Sequence, residues 1–187
     1  EINANNNIYI SAYISNDKFK LNSDTEYTYS NRNANIKWKH IFSNKFSGVF
    51  TAGADHYQFA IGSTVNPVNA YKFNFDVDQL YGRADFDYAI NTKHDIDFGI
   101  STVRYKLQPG TLSPEGSQSL VIPNTVEAEQ GLESALYAGD HINISQKLSV
   151  NAGVRLSVFN YLGPHTTYSY VPGLPREEST IQDSTTY

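Results

Sequence analysis

The stretch Ser145–Phe159, SQKLSVNAGVRLSVF, alternates aliphatic and polar residues over most of its length. Aliphatic side chains occupy every second position from Leu148 to Val158, and Ser, Asn, Gly and Arg stand between them. Successive side chains of a β-strand point to opposite faces, so this period of two predicts a strand with one apolar face. Strands of soluble proteins usually have only about 5–6 residues. The length of this strand therefore indicates an environment that is apolar over a long distance.

Composition favours a chain made mostly of strands. Aromatic residues form 13% of the 187 residues, with 14 Tyr and 10 Phe, and aromatic residues are enriched in strands. A net charge of −5 without any basic run argues against a nucleic-acid partner, which needs clustered Lys and Arg. No apolar run reaches the roughly 18 residues of a transmembrane helix, but a membrane-spanning strand needs apolar residues only at alternate positions. Cys and Met are absent, and a chain that starts at Glu1 is expected to be processed or a fragment.

Period-two segments recur along the chain and helical spacing is hard to find, which predicts an all-β fold. Seven candidate strands lie at residues 7–15, 35–42, 46–61, 71–90, 95–107, 126–143 and 145–159. In the fourth, the apolar positions change from odd numbers in 71–77 to even numbers in 80–90. A β-bulge near Asp78 and Gln79, which would insert one extra residue, is predicted to cause this change.

Short and long connections alternate along the chain. Short turns are predicted near residues 44, 92 and 146, and long polar connections are predicted at 16–33, 62–70, 108–125 and 162–187. The first of these could be a loop or a protruding hairpin. Outer-membrane barrels have short periplasmic turns and long external loops, so the long connections are expected to be external. Residues 1–187 are therefore predicted to form a long antiparallel meander of about seven strands, part of a transmembrane β-barrel.

Aromatic residues collect toward the strand ends, as in the two interfacial girdles of such barrels. Near the short turns these are Trp38, Phe42, Phe46 and Tyr88, and toward the long connections they are Tyr57, Phe59, Tyr71, Phe73, Tyr105, Phe159 and Tyr161. The main alternative is a soluble β-sandwich that acts as a surface or ligand-binding module, because sandwich strands also alternate. Strand length, unequal connections and the lack of a large aromatic residue in the middle of 148–158 weigh against it.

Three hairpin patterns resemble one known family. They are ANIKWKHIFSNKF at 34–46, YAINTKHDIDFG at 88–99, and ESALYAGD at 133–140 followed by LSVNAGVR at 148–155. From about Ile8 onward, the chain resembles the C-terminal barrel of TonB-dependent outer-membrane receptors, particularly the type common in Bacteroidetes. Those barrels have about 22 strands, so seven strands are expected to be one piece of the wall.

The resemblance implies TonB-dependent uptake of a siderophore, cobalamin, glycan or peptide across the outer membrane of a Gram-negative bacterium. It implies no enzymatic activity and no cofactor. The implied partners are membrane lipid, the receptor's own plug domain and the TonB complex, and the plug and the TonB box are expected to lie outside this sequence. Two raw sheet edges would favour self-association of the isolated piece.

If the aliphatic positions face lipid, parity assigns two sets of residues. The lipid-facing set is Leu148, Val150, Val154 and Leu156. The candidates for ligand contact from the lumen are Arg83, Asp85, Glu133, Tyr137 and Arg155, and further lumen-facing positions are Lys37, Lys39, Tyr81, Asp87, Asp97 and Asn151. Mixed charges are expected inside a polar barrel. Pairing with neighbours or with the plug is the main alternative to ligand contact.

No pattern in the sequence indicates a catalytic or metal centre. Aspartates at 85, 87, 95 and 97 could suggest calcium binding or acid–base chemistry, but no EF-hand loop accompanies them, and lumen or solvated carboxylates are the favoured interpretation. Histidines at 40, 56, 94, 141 and 165 lack the close spacing of zinc ligands. Neither a nucleophile elbow nor a phosphate-binding glycine loop occurs, so a barrel enzyme has no candidate residues.

Overall fold

A computed structural model describes residues 3–21, 24–163 and 166–187. The strands are β1 Asn6–Leu21, β2 Thr25–Ser43, β3 Phe46–Ser63, β4 Tyr71–Ala89, β5 His94–Pro114, β6 Asn124–Thr125, β7 Glu129–Ser145, β8 Leu148–Tyr161, β9 Thr166–Tyr170 and β10 Ile181–Thr186. Short 3-10 helices lie at Pro67–Asn69 and Glu178–Thr180. Among the residues that the structure describes, no helix has the length and apolar character needed to cross a bilayer.

The long strands form one antiparallel sheet in the order β1-β2-β3-β4-β5-β7-β8. The two residues of β6 pair with β5, and β9 pairs with β10 in a separate hairpin. The seven strands of the main path have 14 to 21 residues each. The predicted all-β meander of about seven long strands is confirmed, and its short turns fall at residues 44–45, 90–93 and 146–147.

Most of the predicted connection at 16–33 is strand. β1 runs to Leu21, β2 begins at Thr25, and the two pair without interruption. The rings of Phe19 and Tyr27 stack on one side with centroids 4.9 Å apart. On the other side Lys18 Nζ lies 2.6 Å from Glu26 Oε1 and holds the pKa of Glu26 below its ordinary value. The polar residues of this segment therefore belong to one face of a paired hairpin, and they are not part of an irregular loop.

The other predicted long connections also contain strand. β3 continues to Ser63, β5 extends to Pro114, and β9 and β10 form a hairpin inside 162–187. Pairing of Phe73 with Leu112 keeps β5 in the sheet beyond the predicted end of the strand. The prediction that these connections are external is not tested by the fold and stays a prediction.

The bulge predicted near Asp78 and Gln79 is wrong. β4 pairs with β3 over its whole length without a register shift. The shift lies on the other side of β4, where Asn74 pairs with Thr111 and Asp76 pairs with Gln108, so the extra residue belongs to β5. The odd-numbered residues of β4 therefore stay on one face, and only the polarity of that face changes.

Each face of the sheet reverses its polarity partway along the strands. We call the side that carries Val154 and Leu156 face A, and the opposite side face B. Directly paired residues point to the same side, so the register assigns every strand residue to a face. Near the short turns face A is mainly apolar, with His40 and the paired His94 and Asp140 as exceptions. Toward the long connections it carries Arg32, His56, Asp78, Arg104 and Lys106. Face B is polar near the short turns, and toward the long connections it carries Phe19, Tyr27, Tyr29, Tyr57, Phe59, Tyr71, Phe73 and Phe75.

The apolar part of face A forms a band of nearly constant height. In β2 the band covers residues 34–42, and in β4 it covers 80–88. A transmembrane strand tilted by about 45° needs roughly 9–11 residues to cross the hydrocarbon of a bilayer. The band thus matches one crossing, and the rest of each long strand continues past it.

The sheet has almost no core of its own. Among the described residues the buried hydrophobic side chains are those of Ala70 and Ala135. The side chains of Val154 and Leu156 are 78% and 66% exposed. A β-sandwich would bury one face against a second sheet about 10 Å away, and no such layer lies over the described part of this sheet. The sandwich alternative is therefore not the fold.

We expect a disulfide to form when Lys18→Cys is combined with Thr28→Cys, because these residues are directly paired across β1 and β2. The control is Lys18→Cys with Arg32→Cys, since Arg32 pairs with Ile14 and lies four positions further along β2. Gel mobility with and without reductant measures the cross-link. Equal cross-linking of both pairs would show that 16–33 is not a registered hairpin.

Candidate functional site

Three strands bring the five candidates for ligand contact onto face B. Arg83 and Asp85 lie on β4, Glu133 and Tyr137 on β7, and Arg155 on β8. One row across the sheet consists of directly paired residues: Asp85, Gly99, Tyr137 and Arg155. Parity in the sequence places these residues on one side, and the register brings them into contact. We call Arg83, Asp85, Ser101, Tyr137 and Arg155 the arginine–tyrosine cluster.

Tyr137 reaches across an entire strand. Its hydroxyl donates a hydrogen bond to Asp85 Oδ1, although β5 lies between β7 and β4. The ring passes over Gly99, where an added Cβ would lie 2.6 Å from Tyr137 Cζ and 2.6 Å from the Ala84 carbonyl oxygen. Glycine is required at this position because any side chain would occupy the space of the tyrosine.

A second tyrosine crosses a glycine in the same way. Tyr81 on β4 covers Gly53 on β3, and a Cβ at Gly53 would lie 2.5 Å from Tyr81 Cζ. Aromatic rings that cover strand glycines protect the exposed backbone and help to fix register. The predicted lumen-facing position of Tyr81 on the same side as Arg83 agrees with the register.

Two guanidinium groups surround the ring of Tyr137. Arg83 Nε lies 2.6 Å from Asp85 Oδ2 and donates a hydrogen bond of 3.1 Å to the Tyr137 hydroxyl. The Cζ atoms of Arg83 and Arg155 lie 5.5 Å and 5.3 Å from the ring centroid, within the range of cation–π attraction. The cluster is held by charge and hydrogen bonds at a point where the sheet has no second layer.

The arginine–tyrosine cluster has an excess of positive charge because Arg155 has no carboxylate partner in the described ranges. Its Nη2 donates to Ser101 Oγ at 3.4 Å and its Nε donates to Ser157 Oγ at 3.2 Å. Both partners are neutral hydroxyls, and within the described ranges no carboxylate oxygen lies within 4.0 Å of the guanidinium. Asp85 is already engaged by Arg83. An anionic group that approached face B would therefore find Arg155 available.

Glu133 stands apart from the cluster, nearer the long connections. The Tyr105 hydroxyl donates to Glu133 Oε2 at 3.4 Å. Burial raises the pKa of Tyr105, and the charge of Glu133 adds to that effect, so the hydroxyl stays protonated near neutral pH. The structure thus joins four of the five predicted ligand-contact residues and separates Glu133 from them.

Acidic residues lie on face B below the cluster. Asp87 and Asp97 are directly paired across β4 and β5, and Asp97 extends over Gly139. In the described ranges no group of three or more His, Cys, Asp or Glu side chains could hold a metal ion. His165 lies outside the described residues. On β4 and β5, face B is therefore acidic near the short turn, and the cationic side chains of the arginine–tyrosine cluster lie further along.

The predicted upper aromatic girdle is on the wrong face. Tyr57, Phe59, Tyr71, Phe73, Tyr105, Phe159 and Tyr161 all lie on face B, opposite Val154 and Leu156. The lower set does share face A, where Trp38 stacks on Phe50 at 5.1 Å. Proximity to a strand end is not enough to place a residue in a girdle, because adjacent positions point to opposite sides.

Sequence reasoning also missed an aromatic cluster on face B. Tyr29 and Phe59 have ring centroids 5.1 Å apart, and Phe19 and Tyr29 have centroids 6.0 Å apart. These residues lie above the arginine–tyrosine cluster, toward the long connections. The shared odd numbering of Phe19, Tyr27 and Tyr29 was the available signal, and the prediction of a connection at 16–33 obscured it.

Comparison with known proteins gives a family. Residues 2–182 match the family model described as TonB dependent receptor-like, beta-barrel. No curated protein sequence matches the chain.

Two solved structures share the fold. The ferric-catecholate import receptor Fiu of E. coli K12 aligns with a TM-score of 0.54 and 14% identity, over 89% of this chain and 29% of that one. BauA, the ferric preacinetobactin receptor of Acinetobacter baumannii, aligns with a TM-score of 0.60 and 12% identity, over 99% of this chain and 34% of that one. The chain thus spans about a third of the length of these proteins.

Gly99→Ala should lower the free energy of unfolding by about 1–3 kcal/mol, because the new methyl group displaces Tyr137 from Asp85. Gly82→Ala is the matched control, since a Cβ there meets only Thr102 Cγ2 at 3.9 Å. Urea unfolding of protein in lipid vesicles measures both. Equal effects would mean that Tyr137 does not need the space above Gly99.

Proposed function

Because the chain belongs to the TonB-dependent receptor β-barrel family, we propose that it forms part of the wall of a receptor for TonB-dependent uptake. TonB-dependent receptors are outer-membrane proteins of Gram-negative bacteria, and the proposed location is that membrane. The role is binding and transport, and it includes no enzymatic step.

The reversal of polarity between the faces carries this proposal. At the level of the apolar band, Val154 points to face A without protein cover, and the adjacent Arg155 joins the arginine–tyrosine cluster on face B. A barrel wall has lipid on one side and a polar interior on the other. The proposed lipid-facing residues Leu148, Val150, Val154 and Leu156 are 40% to 78% exposed.

The open edges of the sheet support a place in a larger barrel. Within the described ranges β1 pairs only with β2, and β8 pairs only with β7. Backbone groups on an open edge have no partner in lipid, so a closed barrel is required. We propose that further strands of the natural chain pair with these edges, that a plug domain covers face B, and that the TonB complex acts on that plug. The isolated chain is expected to self-associate through its edges.

For the imported ligand we propose a ferric siderophore in preference to cobalamin, a glycan or a peptide. Arg155 offers a cation without a carboxylate partner in the described ranges. The rings of Tyr29 and Phe59 are a separate feature of the same face, because Phe59 pairs with Phe75, ten positions along β4 from Asp85 in the row of Arg155. An anionic chelate with flat rings has a matching partner at each of these two separate places on face B. The two solved neighbours are named as receptors for ferric compounds.

Val154→Arg should destabilise the full-length receptor in lipid vesicles by about 2–4 kcal/mol, the usual cost of a cation at the bilayer midplane. Val49→Arg on face B is the control and should cost much less, because Val49 lies in the row of Asp85 and Arg155, at nearly the depth of Val154, and faces the polar side. Urea unfolding from vesicles measures the difference. A similar cost for both would argue against lipid at face A.

Arg155→Gln should reduce binding of a ferric catecholate siderophore about tenfold, because one charge-assisted hydrogen bond contributes roughly 1.5–3 kcal/mol. Lys147→Gln in the β7–β8 turn is the control for loss of one positive charge. Siderophore-dependent growth and fluorescence binding, at matched receptor levels, measure the effect. Unchanged binding in the Arg155 variant would show that Arg155 does not contact the siderophore and that it instead stabilises the sheet or contacts the plug domain.

A further inference from the structure

Face A carries a hollow where its apolar band meets the charged region. The hollow has a volume of about 710 Å³ and lies across β1 to β5. Its floor includes Ala12, Ala34 and Ala54, which are directly paired from strand to strand. Three small side chains in one row lower the surface between the larger side chains of Ile14 and Leu80.

A second hollow continues toward the short turns. It has a volume of about 420 Å³, and Ala52, Gly82 and Ala84 contribute to its lining. Ala52 pairs with Ile36 and Gly82, one row below the alanines of the first hollow. Trp38, Phe50 and Ile100 stand at its sides. The two hollows occupy neighbouring rows of face A, and we call them together the groove.

The upper rim of the groove is cationic. Arg32, Arg104 and Lys106 line it, and all three side chains are exposed. Arg104 Nη2 donates to the neutral Gln130 Oε1 at 2.7 Å. In the described ranges none of the three forms an ion pair with a carboxylate.

The acidic side chain at the rim already has a partner. Asp78 Oδ1 lies 2.7 Å from His56 Nδ1, and Asp76 lies 4.0 Å from His56 Nε2. The imidazole stands between the two carboxylates. The side chains left for an incoming group are therefore the cations.

This combination is local to one part of the sheet. At the same level of face A, β7 and β8 carry Leu132 and Asn160, which pair with each other and bear no charge. An apolar surface alone does not require alanine at paired positions of three neighbouring strands. It also does not require cations without carboxylate partners next to them, so the combination indicates a binding site.

We propose that this groove is a binding site for an anionic, phosphate-bearing membrane lipid. One acyl chain lies on the alanine floor, and the phosphate-bearing headgroup spans the row Arg32, His56, Asp78 and Lys106. Arg32 at one end of this row, and Lys106 with the adjacent Arg104 at the other, donate hydrogen bonds to its oxygens. Guanidinium groups bind phosphate through two parallel hydrogen bonds, and apolar contact adds in proportion to the area covered. The proposal rests on the proposed function, because it requires that face A meets the membrane.

The experiment uses the natural full-length chain in detergent micelles, with diphosphoryl lipid A as the probe and native mass spectrometry as the readout. Combining Arg32→Gln with Lys106→Gln should weaken lipid binding at least about tenfold, since two charge-assisted hydrogen bonds are lost. Ala54→Phe, which fills the floor and keeps every charge, should weaken binding by a similar factor. Lys18→Gln with Lys20→Gln is the control, because these cations are on face A but are paired with Glu26.

Unchanged binding in the Arg32 and Lys106 variant, or in Ala54→Phe, would overturn the site. So would an equal loss in the Lys18 and Lys20 control, which would indicate general attraction to positive charge. Heat-dependent gel mobility confirms that each variant is folded before binding is compared.

A separate measurement tests the membrane position of face A. Trp38 is the only tryptophan of this chain and lies beside the second hollow. Brominated lipids should quench a fluorescence component that disappears in Trp38→Phe. If that component is absent, the proposed wall and the lipid site both fail. If it is present and the groove variants bind lipid normally, only the lipid site fails.

Discussion

The structure depends on one constraint, which is that each long strand obtains its backbone hydrogen bonds from the strands beside it. β4, for example, is paired with β3 and β5 along nearly its whole length. With almost no buried hydrophobic core, the ladders and the cross-strand side-chain pairs hold the sheet together. In hydrocarbon this pairing is obligatory, because an unpaired backbone group there costs several kcal/mol. The constraint explains why the strands are long and continuous and why both open edges need further strands.

Continuous pairing also decides which side chains can meet. A slip by one residue would move every side chain to the other face, so the assignments of residues to face A and to face B depend on each other. The row from Asp85 through Gly99 and Tyr137 to Arg155 shows the consequence. Tyr137 can bond to Asp85 only because the residue opposite it is glycine, and the two arginines can flank its ring only in this register.

Alternation alone predicted much of the fold, because its signal is local. The faces of β8, the short turns and the common side of Arg83, Asp85, Tyr137 and Arg155 all follow from parity within single strands. Contacts between strands depend on register, which is not local. For that reason the sequence did not reveal that Tyr137 crosses β5, that the extra residue lies in β5 near Gly110, or that Tyr57 and Phe73 lie on face B, opposite Val154 and Leu156.

For residues 16–33 the sequence left a loop and a protruding hairpin open for a different reason, and that reason bears on function. Beyond the apolar band, face A is charged and face B is aromatic, so the usual association of polar composition with loops breaks down. A strand that leaves the bilayer has water on the side where lipid had been, while its inner side can pack rings over the lumen. In the proposed wall, substitutions at odd positions of β1 to β4 therefore change what face B binds without altering face A. A single layer of sheet can in this way acquire a new ligand while its membrane contacts stay the same.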